Sequence, residues 1–329
     1  MVDLPRYVEL YESGELQRRV LALEERLGNC DVCPRRCGAN RLEGEIGLCN
    51  AGKLVAVSSV CAHRGEEPAL SGTKGSGAVF FGNCNLRCVY CQNYQISQDP
   101  AGQRHHEVTP SRLANRMLHV QNDLRCHNLN LVSPTQYVPQ IMRALLEAIP
   151  HGFRLPIVYN TNAYEELSTL QELDGVIDIY LPDLKYSSNT IAMQLSDVAH
   201  YVPTARSAIK EMYRQVGDLQ VGEDGIALKG LIIRHLILPN DLAGSEESLK
   251  WIARELSPQV TVSIMSQYIP RHKALGMPPL ARSINAAEHR RVVNILDVLG
   301  MENGWMQEAG SQEFYLPDFT ADGHPFERG

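Results

Sequence analysis

The sequence predicts an α/β fold, a partial (β/α)6 TIM-like barrel with a small Cys-rich N-terminal extension and an irregular C-terminal tail. Six short apolar segments alternate with helical patterns from residue 76 onward, which is the rhythm of parallel strands joined by crossover helices. These segments are apolar almost throughout, as strands buried on both faces are. A cysteine loop, and not a Gly-x-Gly-x-x-Gly turn, follows the first segment, which favours a barrel over an open doubly wound sheet.

The predicted elements follow one another in a regular order. An amphipathic helix is expected over 4–27, where Leu16, Val20 and Leu23 recur at helical spacing. Residues 28–75 are rich in Cys, Gly and Arg and lack periodicity, which predicts a small metal-stabilised unit. We expect strands at 78–83, 129–133, 156–161, 176–182, 230–238 and 260–266, and helices at 111–122, 138–148, 165–172, 190–215, 246–256 and 286–299. The predicted regions are 1–75 (helix and Cys-rich segment), 76–275 (partial barrel) and 276–329 (C-terminal helix and tail).

Composition bounds the class of protein. The chain has 329 residues, of which 44% are hydrophobic and 21% charged, the range of a globular protein with a substantial core. A formal net charge of -7 argues against a nucleic-acid partner, which requires a basic surface. The first residues lack the apolar segment of a signal peptide, and no run reaches the roughly 18 apolar residues that span a membrane. We therefore expect a cytoplasmic protein without membrane association.

Most of the nine cysteines fall into two groups. In the second group, Cys84, Cys88 and Cys91 form a C-x3-C-x2-C pattern directly after the first predicted strand. Thiolates are the natural ligands of iron–sulfur clusters. Three cysteines leave one iron of a cubane open, as catalytic metal sites keep an open position. The pattern predicts a [4Fe–4S] cluster on these residues; a structural zinc site or three buried thiols is the alternative.

The same three cysteines, with Tyr90 before the last, lie in FFGNCNLRCVYCQNYQIS, which resembles the radical S-adenosylmethionine (radical SAM) superfamily. Together with HRGEEPALSG, PIVYNTNAY, IYLPDLKY, LIIRHLILP and SIMSQYIP, this segment is similar to the branch related to pyruvate formate-lyase activating enzymes. The resemblance implies an oxidoreductase whose open iron chelates S-adenosyl-L-methionine (SAM). Reductive cleavage of SAM then gives methionine and a 5′-deoxyadenosyl radical that abstracts hydrogen from a substrate.

The resemblance also implies partners. A glycyl residue of a partner enzyme would receive the radical, and flavodoxin or ferredoxin would supply the electron. A second hypothesis is a radical SAM enzyme that acts on a small molecule or peptide, which predicts a lidded pocket in place of an open barrel mouth. A third, of another class, is an iron–sulfur or zinc binding module without chemistry.

In the activating enzymes, polar residues at successive strand ends hold SAM, and ten positions of this chain correspond to them or to the adenine pocket. These positions are Tyr90 and Asn93 beside the cysteine loop, Ser133 and Thr135 after the second strand, Asn160, Thr161 and Asn162 at the third, Asp183 and Lys185 after the fourth, and Arg234 on the fifth. The resemblance implies that Asp183 accepts from the ribose or helps hold a cation, and that Lys185 and Arg234 neutralise the SAM carboxylate. Here residues 133–137 replace the Gly-Gly-Glu-Pro-like turn of that family and lack its carboxylate. An ordinary strand-end polar residue is the alternative at each position.

The first cysteine group, Cys30, Cys33, Cys37 and Cys49, has the spacing C-x2-C-x3-C-x11-C. Four soft ligands within one short segment can close a site on zinc or on a second [4Fe–4S] cluster. A zinc ribbon usually has two C-x2-C knuckles, so the spacing favours iron–sulfur. A complete four-cysteine shell indicates a structural or electron-relay role, not SAM cleavage.

The remaining polar and cysteine residues are expected to be ordinary. Cys61 and Cys126 are interpreted as buried thiols, and His63 as a surface histidine. Glu66 and Glu67 could act as general acid and base, but two adjacent carboxylates are expected to be exposed and solvated.

Overall fold

The computed structural model describes residues 4–307, 317–320 and 324–326. The strands are β1 (Val55–His63), β2 (Ser76–Phe81), β3 (Glu107–Val108), β4 (Leu129–Val132), β5 (Ile157–Thr161), β6 (Ile179–Pro182), β7 (Gln220–Val221), β8 (Ala227–Leu236), β9 (Thr261–Met265) and β10 (Gly304–Met306). The helices are α1 (Arg6–Glu12), α2 (Glu15–Glu25), α3 (Pro68–Ser71), α4 (Tyr94–Ser97), α5 (Pro100–Gln103), α6 (Pro110–Asn122), α7 (Val138–Ala148), α8 (Leu167–Glu172), α9 (Asn189–Ser196), α10 (Tyr201–Val216), α11 (Ser245–Glu255) and α12 (Ala286–Leu299).

All of these strands belong to one sheet, in the order β10-β9-β8-β6-β5-β4-β2-β1-β3, with β7 paired to β8. Neighbours from β2 to β10 are parallel, whereas β1 is antiparallel to β2 and β3, and β7 is antiparallel to β8. The parallel strands stand in chain order, without the reversal that marks a doubly wound sheet. Within the described residues no pairing joins the two edges, so the sheet is open. The α/β class and the six predicted strands are confirmed.

Burial explains why these strands are apolar almost throughout. Every residue of β2, β4, β5, β6 and β9 is buried, because helices cover one face of the sheet and α3 covers part of the other. On that second face Ala69 and Leu70 of α3 pack with Val158, Ile179 and Ile232. Successive strand residues point to opposite faces. Two positions further along β5 and β8, the same face therefore carries polar side chains.

Two predicted helices are each divided in the structure. The helix expected over 4–27 is α1 and α2, separated by Gly14, whose φ of +79° is left-handed. The helix expected over 190–215 is α9 and α10, and between them Asp197 and His200 have positive φ values of 51° and 56°. Left-handed backbone cannot continue a right-handed helix, which apolar spacing alone does not reveal.

The Cys-rich segment and the tail contain strands that the sequence did not predict. Residues 28–75 include β1, nine residues long and antiparallel to β2. Its central residues are only half-buried and include two serines, so its pattern is weak. At the other end β10 adds a parallel strand beside β9. The rest of the predicted tail falls largely on 308–316, 321–323 and 327–329, outside the described residues.

The N-terminal helices pack against the outer layer of the fold. The hydroxyl of Tyr7 donates to the carbonyl of Leu155 at 2.9 Å, and α2 packs against α7. Leu16, Val20 and Leu23 are fully buried there, which stabilises the fold by about 1.5–3 kcal/mol each. Among the described helices, none has the length and apolar character that a membrane crossing requires.

Candidate functional site

A cavity of about 570 Å³ extends from the carboxyl ends of the parallel strands into the face of the sheet that α3 partly covers. Residues on or directly after every parallel strand line it, from Phe80 of β2 to Trp305 of β10. Such a volume is in the range of small-molecule sites. Because parallel strands end at one edge, side chains distant in sequence meet here.

The cysteine loop forms one wall of this cavity. The loop leaves β2 at Asn83, whose φ is +63° and whose side-chain amide donates to the Tyr137 hydroxyl at 3.0 Å. Cys84, Cys88 and Cys91 all line the cavity as free thiols. The structure therefore brings these three cysteines together at one cavity, as their spacing predicts.

Each of the three sulfurs has a polar group within reach. Ser196 Oγ donates to Cys88 Sγ at 3.0 Å, and the Leu86 amide donates to Cys84 Sγ at 3.4 Å. Cys91 Sγ lies 3.2 Å from Ser97 Oγ. Burial, reinforced by the charge of Cys88, raises the pKa of Cys84 to about 11 and that of Cys91 to about 12. A bound cation is therefore needed to hold these thiols ionised near neutral pH.

The thiols do not form a single-ion site in this geometry. Within the described residues, no three His, Cys, Asp or Glu side chains converge closely enough to hold one metal ion. This applies both to the cavity wall and to the N-terminal cysteines.

A charged network of three residues also lines the cavity. Arg234 Nε donates to Asp183 Oδ1 at 2.7 Å, and its Nη2 donates to Asn160 Oδ1 at 2.8 Å. Lys185 Nζ lies 2.7 Å from Asp183 Oδ2. Burial opposes ionisation of Asp183, but the charges of Arg234 and Lys185 outweigh it and lower the pKa to about 2. Asp183 is thus a stable anion that fixes two cations at the ends of β6 and β8.

Glu66 and Glu67 also line the cavity, so the prediction that they are exposed is wrong. They directly precede α3, and the packing of that helix on the sheet holds them at the inner end of the cavity. Arg234 Nη1 lies 3.3 Å from Glu66 Oε2, and Asn130 Nδ2 donates to Glu66 Oε1 at 3.1 Å. Burial raises the pKa of Glu67 to about 7, with Arg234 opposing and Glu66 reinforcing the shift.

His63 is buried as well, contrary to the predicted surface position. It lines the cavity and stacks on Phe326, with ring centroids 4.0 Å apart. Recognition of β1 from the sequence would have placed both His63 and the following glutamates inside the fold. Cys61 and Cys126 are buried, as expected.

Nine of the ten predicted SAM positions line the cavity, and Thr135 does not. The lining set is Tyr90, Asn93, Ser133, Asn160, Thr161, Asn162, Asp183, Lys185 and Arg234. The Thr135 hydroxyl instead donates to Glu165 at 2.6 Å, and Glu165 also accepts from Thr161 and Tyr159. Glu165 is a buried carboxylate that the sequence did not single out, because a glutamate beyond a strand end has no distinctive spacing.

The first cysteine group forms a separate site next to the cavity wall. Cys30, Cys33 and Cys49 are buried and Cys37 is half-buried. Burial, reinforced by Cys49 and Cys30, raises the pKa of Cys33 well above its usual range. Burial also raises the pKa of Cys49, with Cys30 and Cys37 reinforcing the shift. The four thiols therefore lie near enough to influence one another.

A buried guanidinium accompanies this group. Arg41 is 1% exposed and donates to the carbonyls of Gln136 and Gly52, both at 2.8 Å. Its Nη1 lies 3.8 Å from Cys30 Sγ, and no carboxylate of the described chain pairs with it. Buried charges are paired in folded proteins, so the thiols are the group able to compensate it.

Two further arginines connect the two cysteine sites. Arg87 donates to the carbonyl of Cys84 at 2.6 Å and also to the carbonyl of Leu48. Arg35 Nε donates to the carbonyl of Asn85 at 2.9 Å. The N-terminal unit therefore packs directly on the loop that carries the cavity cysteines.

Comparison with known proteins adds one relative. No model of a known protein family matches the chain. "Uncharacterized protein MJ0674" of Methanocaldococcus jannaschii is 31% identical over 281 residues, which are 83% of this chain and 76% of the relative. Identity at this level over most of both chains shows common descent, and the chain belongs to the same family as MJ0674.

Proposed function

We propose that the chain is a radical SAM enzyme with its reaction site in the strand-end cavity. The observation that carries the proposal is that Cys84, Cys88 and Cys91, without a fourth cysteine among the described lining residues, open into the cavity that holds the Asp183 network. Three thiols facing a ligand-sized space fit a cluster with one open iron. Ligands of a cubane bind different irons, so they need not converge as ligands of one ion do.

We also propose that the sheet is a partial barrel. Its parallel strands stand in chain order, the cavity contacts all of them, and α3 fills the inner end of the enclosed face. A sheet that curls around its site without closing accounts for all three features.

When bound, the cluster supplies the electron for cleavage of SAM to methionine and a 5′-deoxyadenosyl radical, which takes hydrogen from the substrate. The residues of the chain bind SAM and orient it. The Lys185 ammonium has three hydrogen-bond donors and uses one of them to bind Asp183, so the other two can bind the SAM carboxylate. Arg234 is already bonded to Asp183, Asn160 and Glu66, which suits it to hold those groups in place. Tyr90 and Asn93 border the space expected for adenine.

The N-terminal group is proposed to hold a second [4Fe–4S] cluster. Zinc is the alternative, but its ligands must converge on one ion, which these thiols do not do in the described structure. The uncompensated guanidinium of Arg41 supports a ligand set of ionised thiolates, which metal binding requires. Arg87 and Arg35 join this unit to the cavity loop, which supports an electron relay over a purely structural role. A flavodoxin or ferredoxin remains the expected electron donor. Iron and zinc analysis of purified protein separates the two metals, and Cys33→Ala should remove the metal of this site alone.

The cover of the cavity favours a small molecule or peptide as the substrate over a glycyl radical enzyme. Phe326 lines the cavity, and Phe319 and Phe326 both pack on Phe80. A glycyl loop of a large partner requires an open cavity, whereas Pro317 and Phe326, C-terminal residues of this chain, line it.

The proposal is tested by anaerobic reconstitution with iron and sulfide, followed by dithionite and SAM, with 5′-deoxyadenosine quantified by mass spectrometry. Cys88→Ala should lose the product, and Cys126→Ala, a buried cysteine outside the cavity lining, should retain it. Absence of product from reconstituted wild type with a loaded triad would instead support a binding module.

A further inference from the structure

The cavity lining holds more carboxyl groups than cationic side chains. Among the described lining residues, three carboxylates (Glu66, Glu67 and Asp183) face two cations, Lys185 and Arg234. Both cations form ion pairs of 2.7 Å with Asp183, whereas Arg234 Nη1 lies 3.3 Å from Glu66 Oε2. With all three carboxyls ionised, the lining would carry one negative charge in excess of its cations. Glu67 is the carboxyl without an ion pair of its own in the described chain, and burial raises its pKa to about 7, so a cation bound beside it would favour its ionised form.

Two buried oxygen atoms of the cavity lining lack a hydrogen-bond partner in the described chain. Glu67, 8% exposed, has its Oε2 buried and without a hydrogen-bond partner in the described chain, and the same is true of Gln307 Oε1. Both residues line the cavity. A buried acceptor left unsatisfied costs about 1–3 kcal/mol. Once Glu67 is ionised, the missing partner of its Oε2 must donate hydrogen bonds, as an ammonium or guanidinium does.

Aromatic side chains also line the cavity. Trp305 and Phe326 line the cavity, and His63 stacks on Phe326. Burial, reinforced by His324 and Arg234, lowers the pKa of His63 to about 4, so this histidine adds no positive charge. A carboxylate beside aromatic faces attracts a cation by charge and by the ring quadrupole together.

We infer that the cavity binds an organic cation, an ammonium or guanidinium group of the substrate, with Glu67 at the inner end as its counter-ion and Gln307, directly after β10, as a second acceptor. That the bound cation belongs to a substrate rests on the proposed function, whereas the binding site itself does not. Because the inner end and the cysteine wall belong to one cavity, a substrate anchored by its cation extends toward the cysteines.

The test uses the purified full chain and four simple probes of equal length. These are n-butylammonium, n-butylguanidinium, 1-butanol and butyrate, titrated with ligand-observed NMR. We expect both cations to bind at least tenfold more tightly than butanol and butyrate. Glu67→Gln should weaken cation binding at least tenfold, and the control Glu247→Gln, on the exposed surface of α11, should not change it.

Gln307→Ala provides a second variant that keeps all cavity charges, and it is expected to weaken cation binding several-fold. Equal binding of butanol and butylammonium, or unchanged binding by the folded Glu67→Gln protein, would overturn the inference. So would displacement of the cation by saturating SAM in reconstituted protein, because Glu67 would then belong to the cofactor. The titrations with the four probes need neither a cluster nor turnover, so their failure leaves the radical chemistry standing, and failure of SAM cleavage leaves their result intact.

Discussion

Asp183→Asn is expected to destabilise the protein by about 2 kcal/mol at pH 7, because it removes the anion between two buried cations. The pKa of Asp183 falls from an ordinary 3.8 to about 2, and each pKa unit corresponds to about 1.4 kcal/mol. Asparagine keeps the shape and one acceptor but loses the charge. The ion pairs have only 15–17% of their side-chain area exposed, so solvent screens them little.

The sign of the pH dependence follows from the lowered pKa. The folded-state pKa lies below the unfolded value, so the contribution of Asp183 is present above about pH 4 and is lost as the pH falls toward 2. The stability difference between wild type and Asp183→Asn should shrink over the same range.

Urea unfolding at pH 7, with the midpoints compared at unchanged slope, measures this effect. Glu255→Gln is the matched control, because its ion pair with Lys210 has the same 2.7 Å distance but is 46–47% exposed. That control should lose less than about 1 kcal/mol. The assigned energetics would be refuted if the free energy of unfolding of Asp183→Asn were within about 0.5 kcal/mol of the wild-type value, or if it fell no more than that of the control.

Three further predictions concern other parts of the chain. Burial raises the pKa of Asp178 to about 7, so wild-type stability falls as the pH rises from about 4 to 7, where the unfolded chain ionises this group first. Asp178→Asn should therefore unfold at a higher urea concentration than wild type at pH 8 and at a similar one at pH 4. Leu23→Ala should cost about 2–5 kcal/mol in urea unfolding, whereas Leu21→Ala, 50% exposed on the same helix, should cost under about 1 kcal/mol. Lys185→Met should weaken SAM binding to reconstituted protein at least tenfold in equilibrium dialysis while the iron content stays unchanged.

The sequence predicted the parts of the fold whose signal is local. Six apolar segments became β2, β4, β5, β6, β8 and β9, because strands buried on both faces must be apolar. The grouping of Cys84, Cys88 and Cys91 at one wall followed from their spacing after a strand. Polar residues at strand ends were correctly expected at one edge, because parallel strands share it.

What depends on tertiary structure was missed. β1 has half-buried serines at its centre, and its partner β2 is what makes it a strand. Glu66 and Glu67 were expected in solvent because adjacent carboxylates usually are, yet α3 holds them inside the sheet. Thr135 was expected to contact SAM from the turn after the second strand. Its hydroxyl instead donates to Glu165, a contact that only the folded chain defines.

The central claim, an open iron at the Cys84–Cys88–Cys91 wall, is tested most directly by electron paramagnetic resonance. Cys33→Ala protein, reconstituted and reduced with dithionite, should contain only the cavity cluster, so its spectrum reports that site alone. The account predicts a [4Fe–4S]⁺ signal that changes when SAM is added and that disappears in Cys33→Ala/Cys88→Ala. A cluster signal that SAM leaves unchanged, or iron that survives loss of Cys88, would contradict the account.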